Sequence, residues 1–164
     1  MIGPNGSGKT TILNLITGIY KPLKGSIYLE GINITGQKPH YITKLGISRT
    51  FQKIRLFNEL SVLENVLIGR HCRLSGNIFH DVFGIKSRRK IEKEALNKSL
   101  DYLDMFGFGE YKYKSIKAKN LPYGLKRELE IVRALATEPK VLLLDEPSAG
   151  MNSQEVEVLS DLIL

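Results

Sequence analysis

The chain has 164 residues, 42% of them hydrophobic, a single cysteine and a formal charge of +7. That is enough for one domain, or part of one, with a sizeable core. It excludes an internal disulfide, no apolar run approaches the ~20 residues that cross a bilayer, and the first residues lack the charged-then-apolar layout of a signal peptide.

A cytosolic globular chain is therefore expected, with Cys72 an ordinary small side chain rather than a catalytic thiol. The positive excess lies mainly in 86–98 and 110–119, whereas the last twenty residues are acidic. Lys and Arg interspersed with Glu along a helical segment read as a solvated face, with contact to acidic lipid or an acidic partner as the other reading.

The first element is a loop and a helix. "GPNGSGKT" fits G-x-x-x-x-G-K-[ST] as Gly3, Pro4, Asn5, Gly6, Ser7, Gly8, Lys9 and Thr10, followed by Thr11. Small residues let successive backbone N–H groups point at phosphate oxygens, and a helix starting near Lys9 adds its own free N–H groups and dipole. Lys9 is placed to reach the β- and γ-phosphates and the Thr10 hydroxyl to bind Mg²⁺. The competing reading is a glycine-rich turn before a helix. Such a turn needs no Lys and Thr after its last glycine.

Gly18 and Pro22 end that helix. "GSIYLEG" (25–31) alternates as a short strand, and "INITGQKPHYITKLG" reads as a strand tail, a turn and a short helix. "GISRTFQ" (46–52) is a second short strand ending at Gln52. Ser61 with Glu64 three residues on makes a capping box for an amphipathic helix with apolar residues at 62, 63, 66 and 67. In 73–90 the set Ile78, Phe79, Val82, Phe83 and Ile85 can line one helical face, read as core packing rather than membrane contact.

A helix over 91–106 and a connection over 107–120 follow, then a strong helix pattern over 124–138 that Pro139 ends. "KVLLLDE" (140–146) is a continuous apolar run of the kind that fills a central parallel strand. It delivers Asp145 and Glu146 at its carboxyl end, the edge where open α/β sheets bind ligands. Asp145 suits a magnesium shell and Glu146 the polarising of an attacking water. Two acids after an apolar run are weak evidence alone; paired with the loop at 3–10 they supply what it lacks. A further helix begins near 153, and no internal repeat is visible.

The order of "GPNGSGKTT", "RTFQ", "LPYGLKRELEIVRAL", "VLLLDEP" and "SAGMN" resembles the ATP-binding subunit of ABC transporters, and in detail the branched-chain amino acid (high-affinity Leu/Ile/Val) import group. The resemblance covers essentially the whole chain. It implies an α/β fold of the P-loop NTPase kind, an ABC-type nucleotide-binding domain with a helical subdomain. Residues 1–52 and 139–164 would form the nucleotide-binding core and 53–138 the mainly helical subdomain.

It further implies that Gly3 to Thr11 bind ATP, that Gln52 senses the γ-phosphate and metal, and that Asp145 joins Thr10 and Gln52 around Mg²⁺. Glu146 would be the general base, acting with Lys9 and Gln52. Leu121, Pro122, Tyr123 and Gly124 begin the stretch to Lys126 that occupies the place of the family signature, which closes over ATP held by a second ATPase subunit, identical or sister. Ser148 to Asn152 would join the two sites, and 53–70 would touch the transmembrane permease subunits. A solute-binding protein would be an indirect partner, no nucleic acid is expected, and the location would be the cytoplasmic face of the cell membrane.

This sequence departs from the L-S-G-G-Q signature. Pro122 replaces the serine, Tyr123 the first glycine and Leu125 the glutamine, leaving only Leu121 and Gly124. Pro122 has neither the hydroxyl nor the N–H that could bond a γ-phosphate. Gly124 keeps the role of opening a helix whose N–H groups face phosphate.

Upstream there is no strand before the loop and no residue to stack on adenine. Downstream the switch histidine due about thirty residues after Glu146 is missing, and His40, His71 and His80 stand in the wrong places. Truncation at both ends is expected, with a 164-residue chain that alone folds poorly and hydrolyses ATP slowly or not at all. Two other readings stay open. One is an ABC-type ATPase of DNA repair or chromosome organisation, disfavoured by the short separation of Lys9 and Pro122 and the lack of heptads. The other is a non-catalytic nucleotide-binding fragment.

Overall fold

The structure, a computed structural model, describes residues 6–74, 85–110, 114–151, 153, 156, 157 and 160. The expectations for Gly3, Pro4, Asn5, Asn152, His80 and the apolar set from Ile78 to Phe83 fall outside these residues, as do those for the side chains of Cys72 and Ile85.

Helix α1 (Lys9–Ile16) opens directly after Gly8 and closes at Thr17. The 25–31 segment does not run on as one strand. Strand β1 (Tyr28–Leu29) turns at Glu30 and Gly31, both with positive φ, and pairs antiparallel with β2 (Ile32–Asn33). Two successive positive φ angles match the right-handed twist of a tight hairpin, which is why the chain reverses there. Helix α2 (Pro39–Leu45) begins with proline in its first turn and ends on Gly46 in the left-handed region.

Strand β3 (Ile47–Arg49) pairs in parallel with β4 (Val141–Leu143), in the register Ile47↔Val141 and Arg49↔Leu143. The Thr50 N–H extends the ladder by donating to the Leu143 carbonyl. Strand β3 stops at Arg49, short of the expected end at Gln52. The run at 140–146 is less enclosed than its sequence suggests: Val141 is 37% exposed, because β3 is its one paired neighbour among the described residues.

Helix α3 (Val62–Leu74) packs against both α4 (Ile85–Met105) and α5 (Tyr123–Leu135). Helix α5 opens at Tyr123, one residue before Gly124. The capping box is formed at the head of α3: Glu64 accepts the Ser61 N–H at 2.7 Å, and the Ser61 hydroxyl accepts the Glu64 N–H at 3.2 Å. Val62, Val66, Leu103, Leu129 and Ile131 centre the core between these helices. At Gly69 any Cβ would stand 2.5 Å from the Arg133 carbonyl, so only glycine lets α3 approach α5 this closely.

The later, described part of the connection after α4, residues 114–120, is more ordered than expected. Ile116 and Ala118 bond Val62 and Leu60, holding it beside the start of α3. A second apolar cluster, Ile34, Ile42 and Ile47, lies under α2 and β3. Residues 89–94 of α4 are exposed, as expected for a solvated charged face.

Candidate functional site

The site is built where α1 begins and β4 ends. Gly8 caps α1 with φ 87° and Gly6 has φ 82°, so the described half of the loop uses the left-handed region that glycine adopts at little cost. The N–H groups of the first turn of α1 and the Lys9 and Thr10 side chains follow at once.

Strand β4 carries the chain to Asp145, which is 5% exposed. Thr10 Oγ1 lies 3.5 Å from Asp145 Oδ1, bringing together residues 135 positions apart. This is wider than the ~2.7 Å of a tight hydroxyl–carboxylate bond. Beside it Gln52 Nε2 lies 3.4 Å from Glu146 Oε2. Glu146 is exposed and holds φ 50°, a conformation costing a non-glycine residue about 1 kcal/mol. Hydroxyl, carboxylate and amide oxygen are hard donors of the kind magnesium takes.

Not all predicted residues converge. Tyr123 reaches the turn after β4, its hydroxyl donating to the Ala149 carbonyl at 3.1 Å and its ring packing on Gly150. Leu121 is buried and Gly124 lies in the first turn of α5. Thus 121–124 meets the 147–150 turn rather than bonding to Thr10 or Asp145. Ser7 and Thr11 are exposed.

Three residues to which the motifs assign no role, Arg49, Arg127 and Glu130, organise the site. Arg49 donates to Asp145 Oδ2 at 2.8 Å and to Asn14 Oδ1 at 2.7 Å, tying β3 to β4 and α1; its side chain and that of Asp145 are almost wholly buried. Arg127, fully buried on α5, donates to the carbonyls of Phe51, Asp145, Glu146 and Pro147 and to Glu130 Oε2 at 2.8 Å. Glu130 Oε1 accepts the Arg55 N–H at 3.0 Å. A signal was present for the pair: "RELE" sets opposite charges at i and i+3 on a face otherwise apolar. Arg49 inside a two-sided strand carried none.

Beyond Gln52 a groove of about 560 Å³ opens between α2, β3, α3 and α5, lined by Phe51, Arg55, Phe57, Ile68 and Arg133 among others. Arg55 stacks on Phe51 at 4.1 Å and Arg133 on Phe57 at 5.6 Å. Burial holds the Arg133 guanidinium below its usual pKa, with Glu130 pulling the other way.

Residues 1–149 match the family profile described as ABC transporter. The chain is 42% identical over 163 residues to the high-affinity branched-chain amino acid transport ATP-binding proteins LivG of Escherichia coli (strain K12) and BraF of Pseudomonas aeruginosa, covering 99% of this chain and 63% of each relative. Among solved structures it is similar to the ADP conformation of MJ1267, an ATP-binding cassette of an ABC transporter, with TM-score 0.79, 36% identity, and coverage of 99% of this chain and 63% of that one. It is also similar to the dimeric structure of MJ0796, a bacterial ABC transporter cassette, with TM-score 0.74, 30% identity, and coverage of 98% and 65%. The chain thus spans a little under two thirds of the length of these relatives.

Proposed function

The chain belongs to the ABC transporter family and has the fold of its ATP-binding cassettes, and from that premise we propose that it serves as the ATP-binding and ATP-hydrolysing subunit of an importer of branched-chain amino acids. The observation that carries the nucleotide reading is the meeting of Thr10 with Asp145 and of Gln52 with Glu146 at one edge of the β3–β4 pair. The names of relatives at 42% identity support the substrate class.

In this reading Gly3 to Thr11 cradle the phosphates, and Lys9 adds positive charge at the terminal ones. Magnesium, where bound, neutralises phosphate charge; Thr10, Asp145 and Gln52 would hold it. Glu146 at the exposed end of the turn orients and takes a proton from an attacking water. Arg49 occupies one oxygen of Asp145 and leaves the other toward Thr10.

The division into a nucleotide core (1–52 and 139–164) and a helical part (53–138) belongs to the same proposal, supported by two separate apolar clusters. A second ATPase subunit would meet the chain at 121–126 and 148–152. Permease subunits would dock near 53–70, beside the aromatic-lined groove. No described helix is long and apolar enough to cross a membrane, and the proposed place is the cytoplasmic face, held there by the permease.

A fluorescent ATP analogue tests the reading. The protein should bind it in the presence of Mg²⁺, and Lys9→Ala should weaken binding about tenfold or more. Equal binding by wild type and variant would overturn the assignment.

A further inference from the structure

We infer that Arg127 and Glu130, one turn apart on α5, form a positioning pair through which the attitude of α5 sets the loop of Gln52 and the turn of Glu146. The inference rests on the nucleotide-site reading above and adds the device that aligns its two reactive loops.

The Arg127 guanidinium is enclosed, and its donors go almost entirely to backbone. Phe51 accepts from Nη1 at 2.5 Å, Glu146 from Nη2 at 2.7 Å, Pro147 from Nε at 3.1 Å and Asp145 from Nη2 at 3.2 Å. These four carbonyls belong to two loops: one immediately precedes Gln52, and three span the turn that carries Asp145 and Glu146. A charged donor makes stronger and more directional bonds than a neutral one. The bond to the Glu146 carbonyl falls on a residue held at φ 50°, where an unsupported non-glycine residue would relax.

Glu130 completes the arrangement. One oxygen balances Arg127, and the other accepts the N–H of Arg55, three residues after Gln52. One turn of α5 therefore grips the Gln52 segment at both ends. The same helix opens at Tyr123, whose hydroxyl bonds Ala149, so a shift at its start is carried to both loops within one turn. Neither side chain is placed to touch nucleotide, and both act through Gln52 and Glu146.

The two charges compensate each other, so an apolar pair of similar volume leaves no buried charge unpaired, although it orphans the four carbonyls and the Arg55 N–H. That fact supplies the test. In the full chain, Arg127→Met/Glu130→Met removes both charges together. The expected result is a folded protein with a lowered thermal midpoint, Mg·ATP affinity within about threefold, hydrogen exchange at the Arg55 amide and over 146–149 faster by about tenfold, and kcat about tenfold lower with little change in KM.

Unchanged exchange and unchanged kcat would overturn the inference. Should the double variant not fold, Glu130→Gln keeps the shape, and faster exchange at Arg55 alone supports the grip while unchanged exchange overturns it. The exchange readout needs no nucleotide. A wild type that fails to bind Mg·ATP overturns the nucleotide reading, and with it the inference that rests on it, whereas wild-type binding with unaltered variant exchange and kcat overturns this inference alone.

Discussion

Asp145 and Glu146 are adjacent carboxylates in different surroundings. Asp145 is buried against Arg49, while Glu146 is exposed at the turn. Removing one charge of a buried pair leaves the other uncompensated, so Asp145→Asn is expected to destabilise the fold by about 3 kcal/mol in urea unfolding. Glu146→Gln should change stability by no more than about 0.5 kcal/mol, since an exposed amide needs no partner. A similar loss in both would mean that Arg49 is not held by the Asp145 charge. Thr50 makes a third residue-scale case: it is fully buried and its hydroxyl has no partner among the described residues. Thr50→Val keeps the shape and removes the unmet group, and is expected to raise unfolding free energy by about 1 kcal/mol. The sequence marked Asp145 and Glu146 as a pair, but only packing shows which of them the fold also leans on.

Among the elements, α3 begins as its sequence says. Ser61 and Glu64 satisfy each other's backbone donors, and Ser61→Ala should cost about 1 kcal/mol by chemical denaturation. The Ser61 N–H and hydroxyl hold the Glu64 carboxyl below its usual 4.5. Because the folded pKa is the lower one, this contribution is present above 4.5 and fades as pH falls through the folded value. The helices were legible because a 3.6-residue apolar period and capping residues are local signals. The hairpin at 28–33 was not, because its reversal depends on Glu30 taking a positive φ, which no residue pattern announces. Strand β4 read as central, yet its enclosure depends on which strands lie beside it.

At the scale of the molecule, three surface carboxylates are shifted in the same direction. Glu59 is held low by hydrogen bonds from Lys119 and Lys117, and Glu138 by hydrogen bonds from Lys98 and Arg70. With Glu64 they bind fewer protons folded than unfolded, so the thermal midpoint should fall as pH drops below about 4.5. The Glu59 pairs and the Lys98–Glu138 pair are solvent-exposed, so added salt should flatten that slope. A midpoint rising on acidification would contradict the assignment. These ion pairs link segments 40 to 68 residues apart, and none was visible in the sequence.

The sequence by itself determined the glycine loop with its Lys and Thr, the helix periods, the two adjacent acids and the family, because each rests on residue types at fixed short spacing. The tertiary structure alone decided that Thr10 meets Asp145, that Arg49 claims one oxygen of that carboxylate, and that Arg127 binds carbonyls of two distant loops. Those contacts join positions from 18 to 135 residues apart. Chain spacing cannot state them, because burial and backbone direction are set only when α1, β3, β4 and α5 pack together.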